Sequence, residues 1–299
     1  MTVTDSQRVK RELLLRSLFP AMPAAANLRF IELLEDLELT EGELAFAQGD
    51  APDRFLFLTE GRVALETHGQ PPIELTAFAV VGVVDAVLER PRLRGCRALE
   101  PSKALVIRVA DWLDLLEDNA EVARAAVNNF ATRSYQLWRE SEQRLPKKSI
   151  PPAGIAPSAL ENYDKILALR QASFLRRAGM QAIASLAAIA ETITLDASEP
   201  LFEVGNDGED FFIVASGLVD LTHASGAHFT HDTGDVIGGP AAFCNELPSF
   251  AARAQTNAIV LRIPQQEFYD QAEEHGRLLR GILAFLATEL EALQAIAVP

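Results

Sequence analysis

The chain has 299 residues, 48% of them hydrophobic and 23% charged, with a formal net charge of −15. That length exceeds what one hydrophobic core usually fills, so two domains are expected. The acidic balance argues against nucleic acid or an anionic membrane as partner, since either asks for a basic face. The two cysteines, Cys96 and Cys244, offer neither a disulfide framework nor metal-ligand spacing.

Met1 to Lys10 is polar and lacks the apolar segment of a signal peptide. No apolar run approaches a membrane span, so no membrane insertion and a cytoplasmic location are expected. The spacing predicts helices over Val9–Leu18 and Ala25–Leu34, then short period-2 runs such as Phe55-Leu56-Phe57-Leu58 between Gly and Asp turns. A long apolar-striped helix is predicted over Ala120–Arg144. Residues 145–158 form a Pro-rich linker, because prolines break helical continuity and force extended neighbours. The second half repeats the order: helices over Leu160–Arg177 and Met180–Ala190, strands such as Phe211-Phe212-Ile213-Val214, and a last helix over His275–Ala297. The expected domains are therefore 1–144 and 159–299. The expected class is α+β or mainly β: two jelly-roll-like β-rolls, each with N-terminal helices and a long C-terminal helix.

The halves are an internal repeat. A shift of 156 positions lays Phe46 on Phe202, Gly49 on Gly205, Phe55 on Phe211, Gly61 on Gly217 and Gly82 on Gly238. After a small adjustment, Val106-Ile107-Arg108-Val109 is matched with Val260-Leu261-Arg262-Ile263. Glycines held in register are not produced by composition bias, so the chain is read as a duplication.

Gly49-Asp50-x-x-Asp53-x-Phe55-x-Phe57-Leu58-x-x-Gly61-x-Val63-x-Leu65 resembles the strand–turn–strand signature of cyclic nucleotide-binding domains, and the second half offers the same pattern from Gly205 to Leu221. Its alternating apolar residues are expected to face the roll's interior. The resemblance implies a phosphate-binding cassette: a glycine, a ribose-binding glutamate, a short helical turn whose N–H groups form an anion nest, and a Pro-Arg whose guanidinium pairs with the phosphate.

In the first half the cassette spans Gly82 to Gly95, and the ligand-facing candidates are Gly82, Val83, Val84, Ala86, Arg92 and Arg94. Val83 replaces the glutamate, Leu93-Arg94-Gly95 replaces the small residues after the arginine, and Asp85 stands inside the nest, where it would repel a phosphate. In the second half the candidates are Gly238, Gly239, Ala241 and Ser249. Gly239-Pro240 replaces Glu-Leu, the turn is read as one residue longer, and Pro248-Ser249 stands in place of Pro-Arg. Both specific anchors are gone there, and the cassette is expected to be a relic.

The cluster Arg90, Arg92, Arg94 and Arg97 reads either as a site for a bulkier anion or an acidic partner, or as a charged edge strand that blocks aggregation. His228 and His231 are three apart in an expected strand and point to opposite faces, so a polar hairpin is preferred to a metal site. No nucleophile–base set or metal cluster is found, so no catalytic residue, metal or enzymatic activity is assigned. No helix-turn-helix is expected after the last helix, so a DNA binder of the catabolite-activator type is not expected. Leu278, Leu279, Ile282, Leu283, Phe285, Leu286, Leu290, Leu293 and Ile296 give that helix an apolar surface wider than one roll requires. In bacterial regulators of the family this helix often forms a dimer seam, so the resemblance implies a homodimer; packing within one chain is the other reading. The expected function is a non-enzymatic regulatory or adaptor protein with largely degenerate cassettes, acting through protein contacts. The alternative is a second-messenger sensor binding a cyclic mono- or dinucleotide in the first domain.

Overall fold

In the computed structural model, residues 11–13, 16, 22, 24–141, 160–176, 178–205, 208–223, 226 and 228–297 are described. Most of the helix expected over Val9–Leu18, and the linker over 145–158, lie outside them. Two compact units emerge, Met1–Ala126 and Val127–Pro299. Their division falls inside a helix, not at the Pro-rich segment.

The first unit opens with helix α1 (Ala24–Glu32), followed by strands β1 (Glu35–Leu39), β2 (Leu44–Phe46), β3 (Arg54–Glu60), β4 (Arg62–Glu66), β5 (Ile73–Thr76) and β6 (Val80–Val81). A short helix α2 (Val83–Val87), strands β7 (Gly95–Ala98) and β8 (Ser102–Arg108), helix α3 (Val109–Asp118) and the start of helix α4 (Ala120–Ser141) complete it. The strands form two four-stranded antiparallel sheets, β1-β8-β3-β6 and β2-β7-β4-β5. Between them lies a core that includes Leu39, Phe46, Leu56, Leu58, Val63, Cys96 and Val106.

Strand β3 is buried on both faces, and this departs from the expected alternation. Leu56 and Leu58 point into the roll, whereas Phe55 and Phe57 point out under the helices. There Phe55 meets Trp112 of α3 edge-on at 5.2 Å and Phe57 meets Phe30 of α1 at 5.9 Å. A strand covered by a sheet on one side and helices on the other reads as a continuous apolar run.

The second unit contains the rest of α4, α5 (Asn162–Leu169), a 3₁₀ turn (Ser173–Leu175) and α6 (Met180–Ile189). Its strands are β9 (Glu191–Leu195), β10 (Pro200–Phe202), β11 (Asp210–Ser216), β12 (Val219–His223), β13 (His228–His231), β14 (Val236–Ile237), β15 (Phe250–Ala254) and β16 (Ala258–Pro264). Helix α7 (Gly239–Cys244) lies between β14 and β15, and α8 (Gln265–Glu274) and α9 (Gly276–Ala297) end the unit. Its sheets, β14-β11-β16-β9 and β10-β15-β12-β13, repeat the first roll's order. The fold is thus the expected pair of β-rolls with flanking helices.

Strand register corrects one detail of the repeat. Phe55 pairs with Ile107 and Phe211 with Ile263; Leu39 pairs with Ser102 and Leu195 with Ala258. The offset stays at 156 without adjustment, so Arg262 answers Val106, not Arg108. The apolar string Val-Leu-Arg-Ile imitates Val-Ile-Arg-Val two residues out of step, and similarity of composition outweighed register in the sequence comparison.

The apolar face of α9 is covered within one chain. Leu278, Ile282, Leu283, Leu286, Leu290 and Leu293 are buried, and Ser134 of α4 donates to the Leu286 carbonyl at 3.3 Å. Packing within one chain, the other reading of that surface, accounts for these six residues; Ile296 lies beyond the residues whose side chains are described. Gly61, at φ +89°, shows how closely the repeat constrains its turns: a Cβ there would sit 2.8 Å from the Pro101 carbonyl oxygen. Gly61→Ala should lower stability by roughly 1–3 kcal/mol, the cost of a strained left-handed position. Chemical denaturation checks it, and a change within experimental error would contradict the tight turn.

Candidate functional site

The first cassette begins where β6 ends. Gly82 caps α2 in the left-handed region, at φ 85°, a conformation that costs glycine little. Its missing side chain also matters, because a Cβ would lie 2.6 Å from Arg92 Nη1. Arg92 turns inward beneath that helix and is only 2% exposed. Its Nη1 donates to the Gly82 carbonyl at 2.5 Å, and its Nη2 donates to the Arg54 carbonyl. The guanidinium carbon lies 4.3 Å from the centre of the Phe46 ring, a cation–π contact strengthened by burial. Nε is buried without a partner. Burial lowers the guanidinium's pKa from its ordinary value, and the nearby Asp85 and Asp53 carboxylates oppose that shift.

Asp85 has a different task from the one its sequence position suggests. It holds Arg90 Nε at 2.9 Å and accepts from the Leu93 backbone N–H at 3.3 Å. The carboxylate ties the end of α2 to the segment carrying Arg92. The basic cluster is thereby dispersed: Arg97 pairs with Glu66 at 3.1 Å and donates to the Gly42 carbonyl at 2.8 Å, while Arg94 is half-buried. Val83 and Val84 are half-buried, and Ala86 is buried in the core at 2% exposure. The structure brings Gly82 and Arg92 together and turns Ala86 away from the solvent.

The second cassette starts at Gly238, φ 81°, with Pro240 in the first turn of α7. Its length equals the first: Gly49 N–H donates to the Arg92 carbonyl at 2.9 Å, and Gly205 N–H donates to the Pro248 carbonyl at 3.0 Å. Pro248, not Ser249, is the counterpart of Arg92, and the turn is not longer. The left-handed residues Glu89 and Asn245 mark the same equivalence. The paired prolines, Pro91 and Pro248, had suggested an alignment that slips by one.

With proline in place of arginine, the space stays open as a cavity of about 270 Å³. Leu201, Phe202 and Phe212 supply apolar walls, and Gly238, Ala241 and Pro248 the cassette side. Asp210 and Arg262 also line it. Arg262 Nε meets Asp210 at 2.6 Å and its Nη1 meets Glu191 at 3.0 Å; the bond to Asp210 raises the guanidinium's pKa further above its ordinary value. Gly239 packs against Phe285 instead, and Ser249 is half-buried outside the cavity lining. Sequence reading missed Asp210 and Arg262. The unbroken 156-residue register would have found Arg262, since it puts a charge where the first roll has Val106, a core residue.

Helix α4 is fastened to this second cassette. Asn128 Nδ2 donates to the Phe243 carbonyl at 3.2 Å and the Tyr135 hydroxyl to the Leu247 carbonyl at 2.8 Å. Trp138 packs on Phe250 with ring centres 3.7 Å apart and joins the roll's apolar core. His228 lies 3.5 Å from Asp220 on the hairpin, and no metal-binding group of three or more His, Cys, Asp or Glu occurs among the described residues.

Two antiparallel rolls, each with a glycine-capped helix and a returning segment, define a tandem repeat of one β-roll architecture. The model of the cyclic nucleotide-binding domain matches residues 36–119 and 192–275, more than half of the chain, which therefore belongs to this family. Among solved structures it is similar to a triple mutant of the regulatory subunit of a cAMP-independent protein kinase A from Trypanosoma brucei, bound to cAMP in its A site (14% identity, 99% of this chain and 97% of that one, TM-score 0.38). Another is the N-terminal domain of a transcriptional regulator from Streptomyces coelicolor A3(2) (25% identity, 42% and 93%, TM-score 0.37). A curated relative, Neuropathy target esterase sws of Drosophila virilis, is 24% identical over 185 residues; the match takes in 56% of this chain and 12% of that protein's length.

Two expectations follow from the geometry. Arg92→Ala removes the guanidinium donor from the Arg54 carbonyl and leaves the Gly82 carbonyl with only the Ala86 N–H at 3.4 Å, and should destabilise the first roll by about 1–3 kcal/mol. Urea unfolding followed at Trp112, in a Trp138→Phe background, reads that roll; a loss below about 0.5 kcal/mol would contradict the bonded, buried guanidinium. Burial pushes both Cys96 and Cys244 thiols up to about 11. At pH 8 the folded chain should therefore resist a thiol-directed reagent and react fully only in denaturant. Rapid labelling of both in the native state would refute this.

Proposed function

We propose that this chain is a non-enzymatic regulatory protein, cytoplasmic in location, that acts through protein contacts and no longer binds cyclic nucleotides tightly. Membership of the cyclic nucleotide-binding domain family supports the regulatory role. The observation that carries the finer reading is Arg92: its guanidinium is already bonded to two backbone carbonyls beneath its own cassette. Val83 leaves the ribose without its acidic acceptor, and the second roll has Pro248 where the anchor belongs. An incoming phosphate must displace internal bonds and forgo the glutamate. The acidic chain is proposed to use no nucleic acid, and no helix among the described residues is long and apolar enough to cross a membrane.

One observation favours the sensor reading. Arg92 Nε is buried and unpartnered, and a phosphate reaching the first cassette would satisfy it; a cyclic mono- or dinucleotide is the ligand class. Titration calorimetry of the full chain with cyclic AMP, cyclic GMP and cyclic di-nucleotides separates the two. The proposal expects no binding tighter than about 1 μM, near −8 kcal/mol. Sub-micromolar binding, abolished by Arg92→Ala, would establish the sensor instead.

A further inference from the structure

The second cavity differs from the first cassette in charge as well as in volume. Where the first roll carries Arg54 and Arg92, the equivalent positions hold Asp210 and Pro248. Among the described residues the one guanidinium lining the cavity, Arg262, is shared between Asp210 and Glu191. Asp210 and Arg262 close as an ion pair on that wall, and the exposed Glu191 holds Arg262 from outside the lining, so among the described lining residues no free cation is left to pair with a phosphate. A cationic ligand fares no better, because Arg262 already holds both carboxylates and burying another charge is costly. Beside that pair the lining is apolar: Phe212, the cross-strand partner of Arg262, stacks with Phe202, centres 5.6 Å apart and planes 29° from parallel. At about 270 Å³ the cavity falls just short of the roughly 300–1,000 Å³ that houses drug-sized ligands, which selects for a compact occupant.

We propose that the second roll binds an uncharged, planar, hydrogen-bonding molecule of nucleobase or nucleoside size, without a phosphate. Phe202 and Phe212 provide the apolar wall. Asp210 accepts from the ligand's N–H groups, and Arg262 donates to its ring nitrogen or carbonyl oxygen. The ion pair presents an acceptor and a donor side by side, as a heterocycle edge requires. The cassette helix and loop beside the cavity are the segments that Asn128 and Tyr135 hold, and Trp138 shares the roll's apolar core with Phe202 and Phe212. Occupancy is therefore sensed at Trp138. The inference builds on the regulatory reading of the tandem rolls but not on closure of the first cassette.

The test uses the full chain carrying Trp112→Phe, which leaves Trp138 as the sole tryptophan. Adenosine, guanosine and their cyclic monophosphates are titrated, with Trp138 emission and calorimetry as readouts. At least one nucleoside should bind in the micromolar range and its cyclic monophosphate at least about tenfold more weakly. Asp210→Asn should weaken the nucleoside by about tenfold, and Ala241→Phe, which fills the cavity, should abolish its binding. A cyclic monophosphate that binds as tightly as its nucleoside overturns the proposal, as does no nucleoside response at millimolar concentration. Nucleoside binding unchanged in the isosteric Asp210→Asn variant, with its native circular dichroism retained, overturns it too. Cyclic-nucleotide binding that resists both variants but is lost in Arg92→Ala would overturn the reading of the first roll and not this one.

Discussion

A guanidinium withdrawn from water sets the character of the first roll. Moving such a charge inside is costly unless bonds and opposite charges replace its hydration. Arg92 obtains two carbonyl acceptors, a ring face and the field of Asp85 and Asp53. The surroundings are arranged to keep that exchange balanced. Gly82 has no Cβ to block the approach, and Asp85 anchors the returning segment through Arg90 and the Leu93 amide. The guanidinium of the first cassette is bonded to the backbone of its own roll.

The second roll shows what happens when that cation is missing. Proline at the equivalent position removes the charge and the volume, and the cassette keeps its backbone, as the matching Gly49–Arg92 and Gly205–Pro248 bonds show. The vacated space acquires its own polar pair, Asp210 with Arg262. The two repeats thus hold different arrangements at the same place, one filled by its own arginine and one open beside a paired charge. Helix α4, bonded to the helix and to the following loop of the second cassette, links that segment to the start of the unit.

Much of this was legible in the sequence because it rests on backbone geometry. Glycines at 49, 61 and 82 recur at 205, 217 and 238, all with positive φ, and only a repeated turn asks for that. Gly82, Arg92 and Gly238 were readable for the same reason. What the sequence hid depends on direction and register. Nothing in the string Pro91-Arg92 says whether a guanidinium faces solvent or its own helix, and two prolines drew Ser249 into a place that Pro248 holds. The width of the α9 stripe was visible, but not that Ser134 and the body of its own unit cover it.

The side chain of Arg92 can be watched directly by nitrogen-15 NMR of its guanidinium in the full chain. If it is bonded within the roll, its Hη protons are resolved, protected from solvent exchange and unmoved by millimolar cyclic AMP. A guanidinium that exchanges freely with water, or whose signals shift as cyclic AMP is added, would mean that Arg92 is an available phosphate anchor and not part of the core.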